Sequence, residues 1–98
     1  MALKIIWSPQ AIADLDSLTA FIARDNPGAA EKTGWAILNK TRSLETFPLI
    51  GRVVPERKKA DVREVFHGPF RIIYRVQRKR GVVEILRVWH AARGTPLL

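Results

Sequence analysis

Apolar positions along this chain come first as a short run, then at helical spacing, then in alternation, and each change of period marks a new element. Leu3-Lys4-Ile5-Ile6-Trp7 is too short for a stable helix and stops at Ser8-Pro9, so it predicts a strand. Ser8 is a good N-cap and Pro9 a good first helical residue, because proline lacks only a donor that would be unsatisfied there. Ala11, Leu15, Leu18 and Ile22 then recur every three or four residues and draw one stripe of a first helix. Asp14 and Asp16 fall off that stripe and read as N-terminal helix charges rather than as a catalytic pair. Asn26-Pro27 repeats the start signal, so a second helix follows almost without a loop and is expected to run to about Phe47. Its inner stripe is Ala30, Gly34, Ile37, Thr41 and Leu44, small at its start so that the two helices can approach closely. Trp35 and Leu38 lie beside the stripe and are expected in the core, with the edge of a partner-binding surface as the alternative.

Phe47-Pro48 breaks the helix and opens a loop over residues 48–60, the kind of long connection that in a small domain tends to be functional or mobile. Val62-Arg63-Glu64-Val65-Phe66 predicts the next strand, and His67-Gly68-Pro69 a turn with His67 exposed. Phe70 to Val76 and Val82 to His90 are rich in β-branched and aromatic residues and form a closing hairpin. A two-residue turn at Arg80-Gly81 would set Gln77 opposite Glu84 and Arg71 opposite His90. One face would then carry Ile72, Tyr74, Val76, Val83, Ile85 and Trp89, with Arg87 the exception, and cover the helices. The other would carry Arg71, Ile73, Arg75, Gln77, Glu84, Leu86, Val88 and His90. A longer turn slides the pairing by two residues without changing the faces. The expected fold is α+β: a strand, a two-helix hairpin and a three-stranded antiparallel meander, with the helices on one face of the sheet and residues 1–98 as a single domain.

Charge changes this picture more than composition does. A hydrophobic content of 47% suffices for one core, and the lack of cysteine excludes a disulfide framework, a thiolate zinc site and a cysteine nucleophile. The N-terminal apolar run is far too short for a signal-peptide core or a membrane span, so the cytoplasm is the default expectation. Residues 1–47 hold five basic and five acidic side chains, whereas residues 48–98 hold twelve basic and four acidic. The whole net charge of +8 therefore lies in the hairpin half, which suits a polyanion or an acidic protein partner, or else forms a merely solvated face.

His90, at the end of a central strand, is the side chain best suited to exchange a proton near neutral pH, and it reads equally as a capping or core histidine. Arg71 beside it could steady a phosphate, and Glu56 in the loop could act as a base or be a solvated acid among Arg57, Lys58 and Lys59. An acid, a base and a fixed cation are what cleavage of RNA by its own 2′-hydroxyl requires. There is no glycine-rich phosphate loop, no histidine pair at metal spacing and no activated serine motif, which argues against nucleotide hydrolysis, zinc chemistry and acyl transfer.

Trp7-Ser8-Pro9, Asn26-Pro27-Gly28-Ala29-Ala30, Phe47-Pro48-Leu49-Ile50-Gly51-Arg52, Arg63-Glu64-Val65, Gly68 through Val76, and Ile85 through Arg93 together resemble the RelE/ParE toxin superfamily of bacterial type II toxin-antitoxin systems. The resemblance covers nearly the whole chain in order. It implies the fold expected above, a cytoplasmic growth-arresting toxin of the kind found in plasmid-stabilisation modules, and a cognate antitoxin whose extended or helical tail wraps and neutralises it. It implies neither a metal nor a small-molecule cofactor, and no membrane partner. RelE-like and YoeB-like members cut messenger RNA in the ribosomal decoding site, whereas ParE-like members poison DNA gyrase and are not nucleases. Carried over by position, His90 is similar to the general acid of the YoeB-like branch, Arg71 to its phosphate-contacting arginine and Glu56 to its general base. The extended helical hairpin and the His90-Ala91-Ala92-Arg93 ending resemble proteins grouped with ParE. The lysine-rich set of RelE is not evident, because Lys58 and Lys59 sit in the loop and no tyrosine follows His90. Gyrase poisoning is thus the expected activity, with a ribosome-dependent mRNA endoribonuclease as the alternative and a non-toxic basic nucleic-acid-binding module as a further one. Arg52, Arg57, Lys58, Lys59, Arg63, Arg75 and Arg93 are the cations expected to face nucleic acid or the antitoxin.

Overall fold

In the computed structural model, which describes residues 2–98, both helices start where their caps require. Ser8 Oγ accepts from the Ala11 amide and Asn26 Oδ1 from the Ala29 amide, each at 3.0 Å, and a proline occupies the first turn in both cases. Strand β1 (Lys4–Trp7) leads into α1 (Pro9–Ala23) and α2 (Pro27–Arg42). The second helix stops short of Phe47. Pro48 disfavours helical backbone at the residue before it, and Ser43–Glu45 tighten into a 3-10 turn in which the Ser43 hydroxyl donates to the Lys40 carbonyl at 2.6 Å.

The remaining strands are β2 (Arg52–Val53), β3 (Val62–His67), β4 (Phe70–Gln77) and β5 (Val82–His90). They form one sheet in the order β1-β5-β4-β3-β2, with β1 parallel to β5 and every other pair antiparallel. Strand β2 is an addition to the expected strands: the 48–60 loop folds back so that Arg52 pairs with Glu64 and Val53 with Arg63. His67 is not a turn residue but the half-buried end of β3, paired with Phe70.

Both helices pack on one face of the sheet, as expected, over a core of Ala11, Ile37, Leu44, Val65, Ile72, Tyr74, Val76, Val83, Ile85 and Val88. The α2 stripe of Ala30, Ile37, Thr41 and Leu44 is buried. Trp35, expected in the core, is 58% exposed. At about 100° per residue it lies on the side of α2 opposite Ile37 and Leu44, and Leu38 sits at the margin of that outer side. Tyr74 is fully buried, yet its hydroxyl donates to the Pro48 carbonyl at 2.7 Å and accepts from the Gly51 amide at 3.0 Å. Gly51 is tied down so closely that a Cβ there would lie 2.5 Å from the Glu64 carbonyl oxygen and 2.6 Å from Tyr74 Oη.

The closing hairpin departs from the expected register in two ways. The connection is longer than Arg80-Gly81: Arg78–Arg80 form a 3-10 turn and Gly81, at φ 67°, supplies the left-handed residue. Gln77 therefore faces Val82 rather than Glu84, the two-residue slide that keeps the faces. A β-bulge at Leu86 then puts Ile85 opposite Tyr74 but Arg87 opposite Ile73. Beyond it the faces exchange. Val88 joins Ile72 on the helix side, while Arg87 and Trp89 fall opposite Ile73 and Arg71. Arg71 and His90 are consequently not side by side, because His90 pairs with Phe70 and lies on the other face of the sheet.

Candidate functional site

On the face away from the helices, a chain of charged groups links β2, β3, β4, the loop and the C-terminal tail. Glu64, only 1% exposed, accepts from Arg71 Nε at 2.6 Å and from Arg52 Nε at 2.7 Å. Arg71, also buried, reaches on to Glu56 at 3.0 Å and to the Gly94 carbonyl at 3.3 Å. The Thr95 hydroxyl donates to the other Glu56 oxygen at 2.6 Å. Glu56 is held there because Val54, fully buried against Val62 and Ile73, anchors a turn in which its carbonyl accepts from the Arg57 and Lys58 amides. The bonds from Thr95 and Arg71 lower the Glu56 pKa from 4.5 to about 2. Burial opposes the charge of Arg71, but its bonds to Glu64 and Glu56 outweigh that and raise its pKa. Arg71 is thus a cation bonded through all three side-chain nitrogens, and Glu56 a carboxylate that holds a proton weakly.

His90 stands apart from this chain. Its Nδ1 accepts from the Ala92 amide at 3.1 Å, capping the 3-10 turn at Ala91–Arg93, and its ring meets Phe70 edge-on at 5.5 Å. It lines a groove of about 900 Å3 between α1 and β5, together with Leu18, Phe21, Ile22, Trp89 and Arg93. Of the three residues named from sequence, the structure brings Glu56 and Arg71 together and leaves His90 out.

The other expected cations also divide. Arg52 is bonded to Glu64 and lies over the Phe66 ring at 5.3 Å. Arg63 braces the loop through the carbonyls of Ala60, Leu49 and Gly51. Arg75 approaches Asp61 at 3.9 Å, and Arg93 covers the Trp89 ring at 4.0 Å. Arg57 is half-buried, and only Lys58 and Lys59 stand free in solvent.

Sequence reasoning missed Asp14 as a structural group. Its carboxylate takes Arg87 Nε at 2.8 Å and Nη2 at 2.9 Å and accepts from the Val88 amide at 3.0 Å, while Ser8 Oγ donates to the Leu86 carbonyl at 2.9 Å. These side chains cover the edge of β5 that β1 leaves bare, and Arg87 also contacts the Trp89 ring at 4.6 Å. The signal was Arg87 itself, the one charge on a face otherwise apolar. Glu64, set among apolar strand residues, was a similar signal. Among the described residues no group of histidines and carboxylates is placed to share a metal ion, and no helix is long and apolar enough to cross a membrane.

The fold matches solved toxin-antitoxin structures. It superimposes with a TM-score of 0.73 on a chain of the chromosomal ParDE system from P. aeruginosa, at 24% identity, covering 91% of this chain and 96% of that one. It superimposes with a TM-score of 0.68 on a chain of the RelBE2 toxin-antitoxin complex from Mycobacterium tuberculosis, again at 24% identity, covering 92% and 99%. In sequence the chain is 35% identical over 94 residues to the Y4kP protein of Sinorhizobium fredii, covering 95% of this chain and 93% of that protein. It is 33% identical over 91 residues to Toxin RelE2 of Caulobacter vibrioides, covering 92% and 97%. Residues 5–94 match the family model of the ParE toxin of the type II toxin-antitoxin system parDE, and the chain belongs to that family.

Proposed function

We propose that this toxin arrests growth by binding DNA gyrase and trapping it on cleaved DNA, and that it does not cut RNA. The observation that carries this is the disposition of the residues a nuclease would need. Arg71 is buried beneath two carboxylates, and all three of its side-chain nitrogens are already bonded to them rather than free for a phosphate. Glu56, with a pKa of about 2, is a feeble proton acceptor, and a general base works best with a pKa near the operating pH. His90 lies on the opposite face of the sheet. The match to the ParE family supports the same reading.

A cognate antitoxin would neutralise the toxin in the bacterial cytoplasm, as the neighbouring ParDE and RelBE2 systems suggest. The groove between α1 and β5 suits such a partner: Leu18, Phe21 and Ile22 offer apolar surface, and Arg93 offers charge.

The test incubates purified toxin with gyrase and supercoiled plasmid and looks for accumulated cleaved DNA. Accumulation is expected for the native protein and for His90→Ala alike. Intact plasmid, with new cuts inside codons when a translated message is probed by primer extension, would overturn the proposal in favour of a ribosome-dependent nuclease.

A further inference from the structure

Internal pairing spends much of the positive charge of the second half, and it does so unevenly. Arg52, Arg71 and Arg87 are neutralised by Glu64, Glu56 and Asp14, Arg63 is bonded to backbone carbonyls, and Arg93 lies on Trp89. What remains gathers at one end of the sheet. There β4 runs out into Arg78-Lys79-Arg80, and β1 starts with Lys4, whose amide donates to the Gly81 carbonyl. The loop carrying Lys58 and Lys59 returns to the same end, because Asp61 accepts from the Val76 amide and Val62 pairs with Arg75. Lys4, Lys58, Lys59, Arg78, Lys79 and Arg80 are all exposed, and none is in an ion pair among the described residues. The acids at this end are Asp61, 3.9 Å from Arg75, Glu84, which accepts from Gln77, and Glu45, whose backbone carbonyl accepts from the Leu3 amide beside Lys4.

We infer that this end of the sheet is a docking surface for the sugar-phosphate backbone of duplex DNA. A protein partner needs buried apolar anchors at the centre of its contact. Among the described residues, no exposed large apolar side chain lies in the segments 2–6, 56–61 and 77–82 that carry these cations. Single-strand readers need aromatic platforms for unstacked bases, and those segments hold no aromatic residue. Free cations without anchors or platforms are what a phosphate backbone requires. The choice of DNA over duplex RNA rests on the gyrase reading, since gyrase holds duplex DNA; the surface itself rests on the placement of charge.

Fluorescence anisotropy with a short labelled DNA duplex, without gyrase, tests the surface. Contact with about four phosphates should weaken binding about 100-fold between 50 and 200 mM salt. The triple variant R78A/K79A/R80A should bind at least about tenfold more weakly, with a salt slope lower by about three. K58A/K59A, in a separate loop, should also weaken binding and guards against misfolding of the turn variant, which far-UV circular dichroism reports directly. K32A/K40A/R42A removes the same charge from the exposed side of α2 and should leave the affinity nearly unchanged. Equal losses in the α2 and turn variants, or no binding by the native toxin, would overturn the inference, and tighter binding of an RNA duplex would overturn the choice of DNA. If the toxin binds DNA here yet fails to trap gyrase, the surface stands and the gyrase reading falls. Gyrase trapping by a toxin with no affinity for DNA gives the converse.

Discussion

Glu64 and Arg71 form a buried ion pair at 2.6 Å on adjacent strands, and the same carboxylate also holds the exposed Arg52 at 2.7 Å. The two arginines differ in what their loss should do. Arg52→Ala removes an ion pair whose arginine side chain is 59% exposed and should cost no more than about 1 kcal/mol. Glu64→Gln leaves Arg71 buried with a single acid and should cost about 3 kcal/mol or more. Urea denaturation measures both, and equal small losses would show that the buried pair contributes no more than a surface one.

Glu56 makes the stability depend on acid pH. Its folded pKa of about 2 lies below the ordinary 4.5, so its contribution is fully present above 4.5 and is lost as the pH falls towards 2. Because the side chain is 39% exposed, solvent screening reduces that contribution to about 1 kcal/mol. Thr95→Val removes the shortest bond to this carboxylate and should move its titration upward towards 4.5. Carbon-13 NMR of the Glu56 carboxyl group would record the change. An unmoved titration would show that Thr95 does not hold the tail to this carboxylate.

Tyr74 and Gly51 test how the loop is fastened to the core. Tyr74→Phe deletes a buried hydroxyl that bridges the Pro48 carbonyl and the Gly51 amide, leaving both without that partner, and should cost about 1 to 3 kcal/mol. Gly51→Ala forces a Cβ onto the Glu64 backbone, which cannot swing aside as a side chain could, and should be the more damaging change. Thermal denaturation ranks the two. A Gly51→Ala protein as stable as the native one would mean that the loop can move off β3.

Where the determinants were local, the chain could be read from its residues. Ser8-Pro9 and Asn26-Pro27 mark both helix starts because a cap and a first-turn proline act within a few residues. The stripe from Ala30 to Leu44 marks the inner side of α2, and Trp35, beside that stripe and expected in the core, faces outward because its position on the helix is opposite Ile37. The bulge at Leu86 was not legible. It lies where Ser8 and Asp14, more than 70 residues earlier, take over the edge of β5 from β1. That one extra residue moved His90 to the face opposite Arg71, so the pairing of those two residues read from the sequence does not form. The link between Glu64 and Arg71 was closer to hand, being an acid and an arginine set into apolar strands on either side of a tight turn.

Asp14 and Arg87 show whether the edge of β5 is sealed by charge or by shape. Asp14→Ala would strip Arg87 of its acid and leave the Val88 amide without an acceptor, at a cost of about 2 to 3 kcal/mol. Arg87→Met alone would leave Asp14, whose side chain is 13% exposed, with only the Val88 amide as a partner. In the double variant neither charge remains unpaired, and methionine can still pack against Trp89 as the arginine does. The double variant should therefore be more stable than the sum of the single losses predicts, with a coupling of about 1 kcal/mol or more in a urea-denaturation cycle. Strict additivity would show that the pair contributes nothing beyond its two separate contacts, and that the edge is sealed by Ser8 and the packing of α1.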